Sequence, residues 1–447
     1  MAVRHGYGKI AGTDALVFAY DTGDTRNSYR GEPTVNYIAH QNAVAQSSYT
    51  SYSATSNGTW NAKHSNAIRA YNIDGGDITV YINTGVGDWT NTYHAHWQYD
   101  IELGKPVAVM QALDGNWKAK SFGAGMGAWS SLGMSAGQKY TISWLQWTSD
   151  LNLCADTGFY SRNTSNTWGF HDGRSNGNSK NTLLNTWQRV SYTFTVNAVR
   201  NLNDSNGNVY MYGHTTSNIG GTLKIADVQL ELKDHATQFT GLTSGTNGRT
   251  TRSSTQGLLD LTGNSTIDLA NVSFDANAQM FFDGTDDRII LPPGSLPTIG
   301  TNDFTLEFVC KNTRTNSYNH FFSVLDQYHI SFKSYNVNGL LYVYRTSALS
   351  TTNSIPAYIP SRNDYYHIVA KRQGDNMQIY INGESQGVKT GWGDVSIDNN
   401  LYNSYIGWGA GTEYSGGHYA IAKIYNRALT AAEVRNNYNQ YKGRFNL

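Results

Sequence analysis

The sequence predicts an all-β protein: two antiparallel β-sandwich (jelly-roll) domains in tandem, with an irregular N-terminal arm and one short C-terminal helix. Three observations predict it. At 447 residues the chain is too long for one ordinary core. It holds 45 Gly, 31 Tyr and 11 Trp, and only 15% of its residues are charged, so strong helix formers do not dominate. Short period-two stretches, rich in aromatic and β-branched residues, recur between turn signals, and no fixed-period repeat stands out.

Residues 1–36, studded with Gly and Asp, read as an arm that would dock onto another protein. Residues 37–240 read as the first sandwich. Its clearest strands are "KYTISWLQW" from Lys139, "WQRVSYTFTV" from Trp187, "NVYMYG" and "TLKIADVQLEL", with a tight turn at Asn206-Gly207. Nine of the eleven tryptophans fall before residue 190, and the polar, aperiodic segment 241–256 reads as a linker. Residues 257–447 read as the second sandwich. Here "AQMFFDGTDDRIIL" from Ala278, "DFTLEFVCK" and "NVNGLLYVYR" are strand-like, with Asn338-Gly339 as a hairpin turn. "YYHIVAKRQGDNMQIYINGESQGV" gives two strands around residues 373–376, with Met377, Ile379 and Ile381 on one face before the Asn382-Gly383 turn. Thr430 and Glu433 form a capping-box pattern for the C-terminal helix, which Gly443 is expected to stop.

Composition excludes some function classes. The 33 basic and 33 acidic residues cancel, and no basic run occurs, so nucleic acid is disfavoured as a partner. No stretch approaches the roughly 18 consecutive apolar residues that cross a bilayer, so membrane insertion is not expected. Met1 to Ile10 lacks an apolar stretch of signal-peptide length. Cys154 and Cys310 are expected to be free thiols rather than a disulfide framework.

The order "FFDGTDDRIIL", "FTLEFVCK", "YHIVAKRQGDNMQIYINGE" and "AIAKIYNRALTAAEV" resembles the laminin-G-like, concanavalin-A-like sandwich family over residues 257–442. That resemblance implies two curved antiparallel sheets and glycan binding, often beside Ca²⁺. Residues 37–240 resemble carbohydrate-binding-module jelly rolls through "GQKYTISWLQW", "WQRVSYTFTV" and "KIADVQLELKDHATQFT". The opening from Asp14 to Ile38 is similar to the start of structural proteins of tailed bacteriophages. It implies a protein made in the host cytoplasm and assembled on the virion surface, with the arm contacting other virion proteins.

Catalytic patterns are missing. Retaining glycosidases on such sandwiches align carboxylates at alternate positions of one strand, and no E-x-D-x-x-E occurs. Asp303 and Glu307 share a face, but Asp303 sits at the strand's edge. "TSNGTW" from Thr55 lacks the Asp of a sialidase box, and neither a G-x-S-x-G elbow nor a Walker loop is present. His94 and His96 form an H-x-H pair without an identifiable third ligand. Asp283, Asp286 and Asp287 beside Gly284 fit either a Ca²⁺ site or a tight turn using Asp for local hydrogen bonds. Asp227 fits either the structural Ca²⁺ of related modules or an edge-strand carboxylate. Sugar recognition stacks an aromatic face on pyranose C–H groups. The candidates are Trp89, Tyr93, Trp97, Trp129 and Trp168 in the first half, and Trp392, Trp408 and Tyr414 in the second. Trp144 and Trp187 are expected in the core.

These readings lead to a non-catalytic virion surface protein, a tail-fibre or baseplate adhesin or a capsid decoration, binding host-surface polysaccharide. Possible Ca²⁺ is the one cofactor expected, and a homo-oligomer is expected, a trimer if it is a fibre. A purely architectural protein and a polysaccharide depolymerase are the alternatives.

Overall fold

The computed structural model describes residues 15–447 apart from 40–51, 54–71, 74–79, 84–92, 113–119, 126–133, 152–155, 164, 166, 171–174, 177–179, 199–207, 214–220, 241–249, 277–278, 315–317, 325–329, 336–339, 346–353, 359–363, 393–395 and 397–398. The fold is antiparallel β with one helix at the C-terminus, as the strand periodicity predicts. Two compact units divide the chain, one of residues 1–33 with 252–447 and the other of 34–251.

The first unit is a sandwich of an eight-stranded and a seven-stranded sheet. In the eight-stranded sheet Phe304–Asn312 lies between Gly416–Tyr425 and Tyr366–Gln373, followed by Asn376–Ile381 and Glu384–Lys389 at one edge. Phe304, Leu306, Phe308 and Cys310 point inward, where Phe308 meets Phe321 and Phe332 of the other sheet at centroid distances of 6.0 and 6.3 Å. The alternate residues Thr305, Glu307 and Val309 are buried too, because the helix Ala431–Phe445 covers the sheet's outer face. Both faces of this strand are therefore dry, although its sequence still alternates, with Thr305, Glu307 and Lys311 between the apolar positions. Met377, Ile379 and Ile381 do share the inward face.

The helix begins as expected. Thr430 accepts from the Glu433 amide, and Glu433 accepts from the Thr430 amide at 2.8 Å, which satisfies two of the donors a helix start leaves unpaired. Its end differs from expectation: the helix runs through Gly443, and Asn446 supplies the left-handed residue at φ 55°. Asn tolerates that region better than most residues. The Asn382-Gly383 turn takes positive φ at both positions, 49° and 78°. Turns at Asn206-Gly207 and Asn338-Gly339 lie outside the described residues.

The N-terminal stretch also differs from the expected arm docked onto another protein. Leu16–Asp21 is a strand of the eight-stranded sheet, paired with Gly416–Tyr425 in the register Phe18↔Ile424 and Tyr20↔Ala422. Phe18 and Tyr20 are core residues of this sandwich. On the strand's other side the Ala19 amide donates to Asp260 Oδ1 at 2.9 Å and Leu261 donates to the Ala19 carbonyl at 2.7 Å. Asp21 accepts two hydrogen bonds, of 2.6 and 2.7 Å, from Arg444. Residues 15–33 thus complete the C-terminal sandwich rather than stand apart from it.

The second unit holds two six-stranded sheets. In one, Lys139–Thr148 runs between Gln188–Thr195 and Thr222–Glu231, with Lys105–Ala112, Tyr93–Asp100 and Tyr52–Ser53 beyond. Tyr140, Ile142 and Trp144 alternate along the strand and are buried, and the intervening polar Thr141 and Ser143 are buried on its other face as well. The Trp144 indole N–H donates to Gln146 Oε1, and Gln146 in turn donates to Asn181, so this buried polar pair is satisfied. Cys310 is a buried free thiol, and Cys154 lies outside the described residues.

Candidate functional site

The loop 407–415 of the first unit brings Trp408 and Tyr414 together. The two residues form an antiparallel bridge, their rings stack at a centroid distance of 6.0 Å, and both remain partly exposed. Tyr405 meets Trp408 edge-on at 4.6 Å. The Arg288 guanidinium lies 5.4 Å from the Trp408 ring centroid and 5.9 Å from that of Tyr414, and its Nη1 donates to the Tyr414 hydroxyl at 3.1 Å. Arg288 and Tyr405 reach this surface because they stand on the outward face of the seven-stranded sheet, whose register pairs Ile290 with Tyr405.

Two glycines make the loop possible. Gly407 sits at φ 87°, and a Cβ there would come within 2.2 Å of the Phe282 ring. A Cβ on Gly409 would lie 2.0 Å from the His320 ring. His320 is fully buried and its Nε2 is 2.9 Å from Glu413 Oε2, with Lys333 Nζ 3.6 Å from the same oxygen. Burial holds the His320 pKa below the ordinary imidazole value against the opposing pull of Glu413. Burial likewise lowers Lys333. The loop is anchored from below by this charged group and by the Ser323 hydroxyl, which donates to the Trp408 carbonyl.

The Asp turn adjoins this surface. Asp283, Asp286 and Asp287 each offer a carboxylate oxygen within 4.8 Å of the others, the one such group of three among the described residues. Asp287 is fully buried, accepting from the Asp283 amide at 2.6 Å and facing Ser273 at 3.4 Å. Desolvation first, and Asp283 second among the raising effects, push its pKa up to about 6. Asp283 accepts from the Thr285 amide and Asp286 from Asn271, so local turn bonding and a ligand set coexist here. Hard oxygen donors around a carboxylate that resists ionisation fit Ca²⁺, whose charge would relieve that resistance. Arg314 links the two features: its side chain packs beside Gly284 and its guanidinium donates to the Tyr414 carbonyl.

Other expected site residues fall elsewhere. Trp392 is not a surface platform. It is completely buried in the sandwich core, its amide bonded to the Asp375 carbonyl at 3.1 Å. Asp227 is not part of a three-ligand group among the described residues. It sits at φ 52° where the ladder between Thr222–Glu231 and Lys139–Thr148 shifts register, with its carbonyl accepting from Arg189. Tyr93 and Trp97 lie in the Tyr93–Asp100 strand with His94 and His96, and Trp168 in Trp168–Phe170. The side chains of these five residues lie outside the description, as do Trp89 and Trp129 altogether. Glu307 is sealed beneath the helix, accepting from His367 at 2.8 Å, Tyr425 at 3.1 Å and Asn437 at 2.9 Å. Asp303 caps the amide of Gly374. Sequence reasoning missed Arg288, Arg314 and Tyr405; of these only Arg288, directly after the Asp run, carried a local signal.

The first unit is thus an antiparallel sandwich with an aromatic and arginine surface beside an acidic turn. Residues 283–435 match the family model of the concanavalin A-like lectin/glucanases superfamily. Comparison with curated protein sequences finds no match. Among solved structures the chain is similar to domain 4 of AbnA, an extracellular arabinanase from Geobacillus stearothermophilus, solved with arabinotriose. Identity is 19% over 40% of this chain and 90% of that one, with a TM-score of 0.33. It is also similar to the binding domain of Paraclostridial Mosquitocidal Protein 1, with 20% identity, coverage of 41% and 49%, and a TM-score of 0.32. The receptor binding domain of botulinum neurotoxin D gives 12% identity, coverage of 42% and 51%, and a TM-score of 0.32. The chain spans about half the length of these two toxin domains.

Proposed function

We propose that the chain is a non-catalytic carbohydrate-binding protein whose first unit holds saccharide against Trp408 and Tyr414. The observation that carries this reading is the pair of stacked, partly exposed rings with the Arg288 guanidinium beside them, 5.4 and 5.9 Å from their centroids. Aromatic faces take sugar C–H groups, and the N–H groups that Arg288 does not give to Tyr414 supply donors for hydroxyl oxygens. Asp283, Asp286 and Asp287 would hold Ca²⁺, which neutralises the turn next to the ligand.

The setting proposed is the surface of a bacteriophage virion, with host polysaccharide as ligand and symmetric, multivalent presentation raising weak single-site affinity. The likeness of residues 14–38 to virion proteins supports it. A depolymerase is the weaker reading, because Glu307 is covered by the helix and Asp303 is committed to a turn. An architectural role is favoured by one observation: the Trp408 indole N–H is already bonded to the Gly411 carbonyl, at 3.2 Å.

Binding of the purified chain to a glycan array and to whole host-cell polysaccharide, with and without EDTA, tests the proposal. Saturable binding that falls about twofold to tenfold in Trp408→Ala is expected, since one aromatic contact contributes roughly 0.5–1.5 kcal/mol. Absence of binding at multivalent density would support the architectural role instead.

A further inference from the structure

A second constellation stands in the other unit, independent of the surface just described. The register Gln146↔Gln188 continues by one step to place Trp147 and Trp187 opposite each other across neighbouring strands. Both are only partly buried. Residues across an antiparallel pair share a face. On that face Trp187, Leu145 and Leu103 pack over Val107 and Ala226, away from the inward-pointing Tyr140, Ile142 and Trp144. Trp187 is therefore not in the main core, contrary to its expected place.

One ion pair touches both indoles. Lys224 Nζ is 2.9 Å from Asp100 Oδ2 and 4.5 Å from the Trp147 ring centroid. The Trp187 indole N–H is 3.4 Å from Asp100 Oδ1, which also accepts from the amides of Glu102 and Leu103 at 3.1 Å each. Burial alone would raise the Asp100 pKa, but its bonds to Lys224, Leu103 and Trp187 hold it below the usual carboxylate value. Asp100 thus stays ionised, and its formal charge is matched by that of Lys224. Asp100, at 7% side-chain exposure, has its oxygens engaged, whereas Lys224 is 17% exposed and has three N–H donors. One N–H points to Asp100 and one toward the ring, which leaves a donor for an outside acceptor.

We propose that Trp147 and Trp187 form a second saccharide platform, with Lys224 donating to a sugar oxygen and Asp100 fixing both Lys224 and Trp187. Two indoles on a sheet face offer apolar area to pyranose C–H groups. The balanced ion pair supplies a directional donor without a net charge, so the ligand class is a neutral pyranose polymer rather than a uronate or sulfated one. This site does not depend on Trp408 being a ligand contact.

The full chain carrying Trp408→Ala is run through native gels containing soluble β-glucan, xylan, mannan or galactan, with alginate as the anionic comparison. Retardation by at least one neutral polymer is expected. Adding Trp147→Leu or Trp187→Leu should weaken it about fivefold to tenfold, and Lys224→Gln should weaken it less. Far-ultraviolet circular dichroism checks that each variant folds. As a readout that needs no core change, 5-fluorotryptophan resonances of 147 and 187 in the wild-type chain should shift on adding the retarding polymer's oligosaccharides. No retardation by any neutral polymer, unchanged retardation in folded Trp147→Leu and Trp187→Leu, unmoved resonances, or preference for alginate would each overturn the proposal. Failure of the Trp408 site shows instead as unchanged binding in Trp408→Ala alone, with the Trp147 effect intact.

Discussion

At the scale of single residues, Asp287 carries the most specific expectation. Its folded pKa, about 6, lies above the ordinary 3.8, so the carboxylate is unfavourable in place once ionised. The sign follows: the stabilising contribution of the protonated form is full below about pH 4 and is lost as the pH rises through about 6. A shift of this size corresponds to about 3 kcal/mol at neutral pH. Ca²⁺ would reverse the preference by favouring the ionised form. Calcium added at pH 7 should therefore raise the melting temperature, and its affinity should fall as the pH drops below about 6. Asp287→Asn should raise the metal-free melting temperature at pH 7 and abolish the calcium response; calorimetry with and without EDTA reads both. Sequence spacing alone brought these three carboxylates forward, because a turn of five residues keeps them close whatever the rest of the chain does. The tryptophans were less legible. Trp392 and Trp408 both sit between glycines, yet one is core and the other surface. That difference is made by strands far away in sequence, and neither dipeptide context contains it.

At the scale of elements, the loop 407–415 and the C-terminal helix show how buried charge positions surface chemistry. Gly409→Ala would drive a methyl into the His320 ring, which lies in a rigid group with Glu413 and Lys333. Loss of glycan binding together with a stability loss of roughly 1–3 kcal/mol is expected, measured by titration and by urea unfolding. Beneath the helix, burial alone would raise the Glu307 pKa, but Lys423, His367 and Tyr425 hold it below the carboxylate norm. A lowered folded pKa means that this contribution is present above about pH 4.5 and lost as the pH falls below it. Glu307→Ala leaves the His367, Tyr425 and Asn437 donors and the Lys423 charge without their acceptor, which should cost roughly 3–5 kcal/mol by urea unfolding at pH 7. Lys139–Thr148 was readable because Tyr140, Ile142 and Trp144 alternate with polar residues, although Thr141 and Ser143 are buried as well. Phe304–Asn312 keeps the same alternation, and what its own residues do not tell is that the helix buries the polar face too. The capping box was readable because it is local; the helix's real end at Asn446 was not, since Gly443 tolerates helical φ and ψ as well as left-handed ones.

At the scale of the whole chain, the C-terminal sandwich is assembled from both ends of the sequence. The five residues "LVFAY" from Leu16 are apolar enough for a strand buried on both sides, but their partner, Gly416–Tyr425, lies about four hundred positions away, and no local signal names it. Without Leu16–Asp21, the C-terminal half of Gly416–Tyr425 would expose its backbone edge, and the core would lose Phe18 and Tyr20. Unpaired edges invite association with other strands. Each of those aromatic side chains contributes roughly 1.5–3 kcal/mol by burial, and the two together, roughly 3–6 kcal/mol, are a large share of a domain's net stability of about 5–15 kcal/mol. A fragment of residues 252–447 alone should therefore be aggregation-prone, while the same fragment with residues 15–33 supplied in trans should regain a cooperative melt. In the full chain, Ala19→Pro removes the amide that binds Asp260 and should lower the melting temperature of this unit without altering the Tyr140, Ile142 and Trp144 core of the other. If the fragment melts as cooperatively as the full chain, the strand is an accessory and residues 15–33 are free to serve as the anchoring arm that their composition suggests.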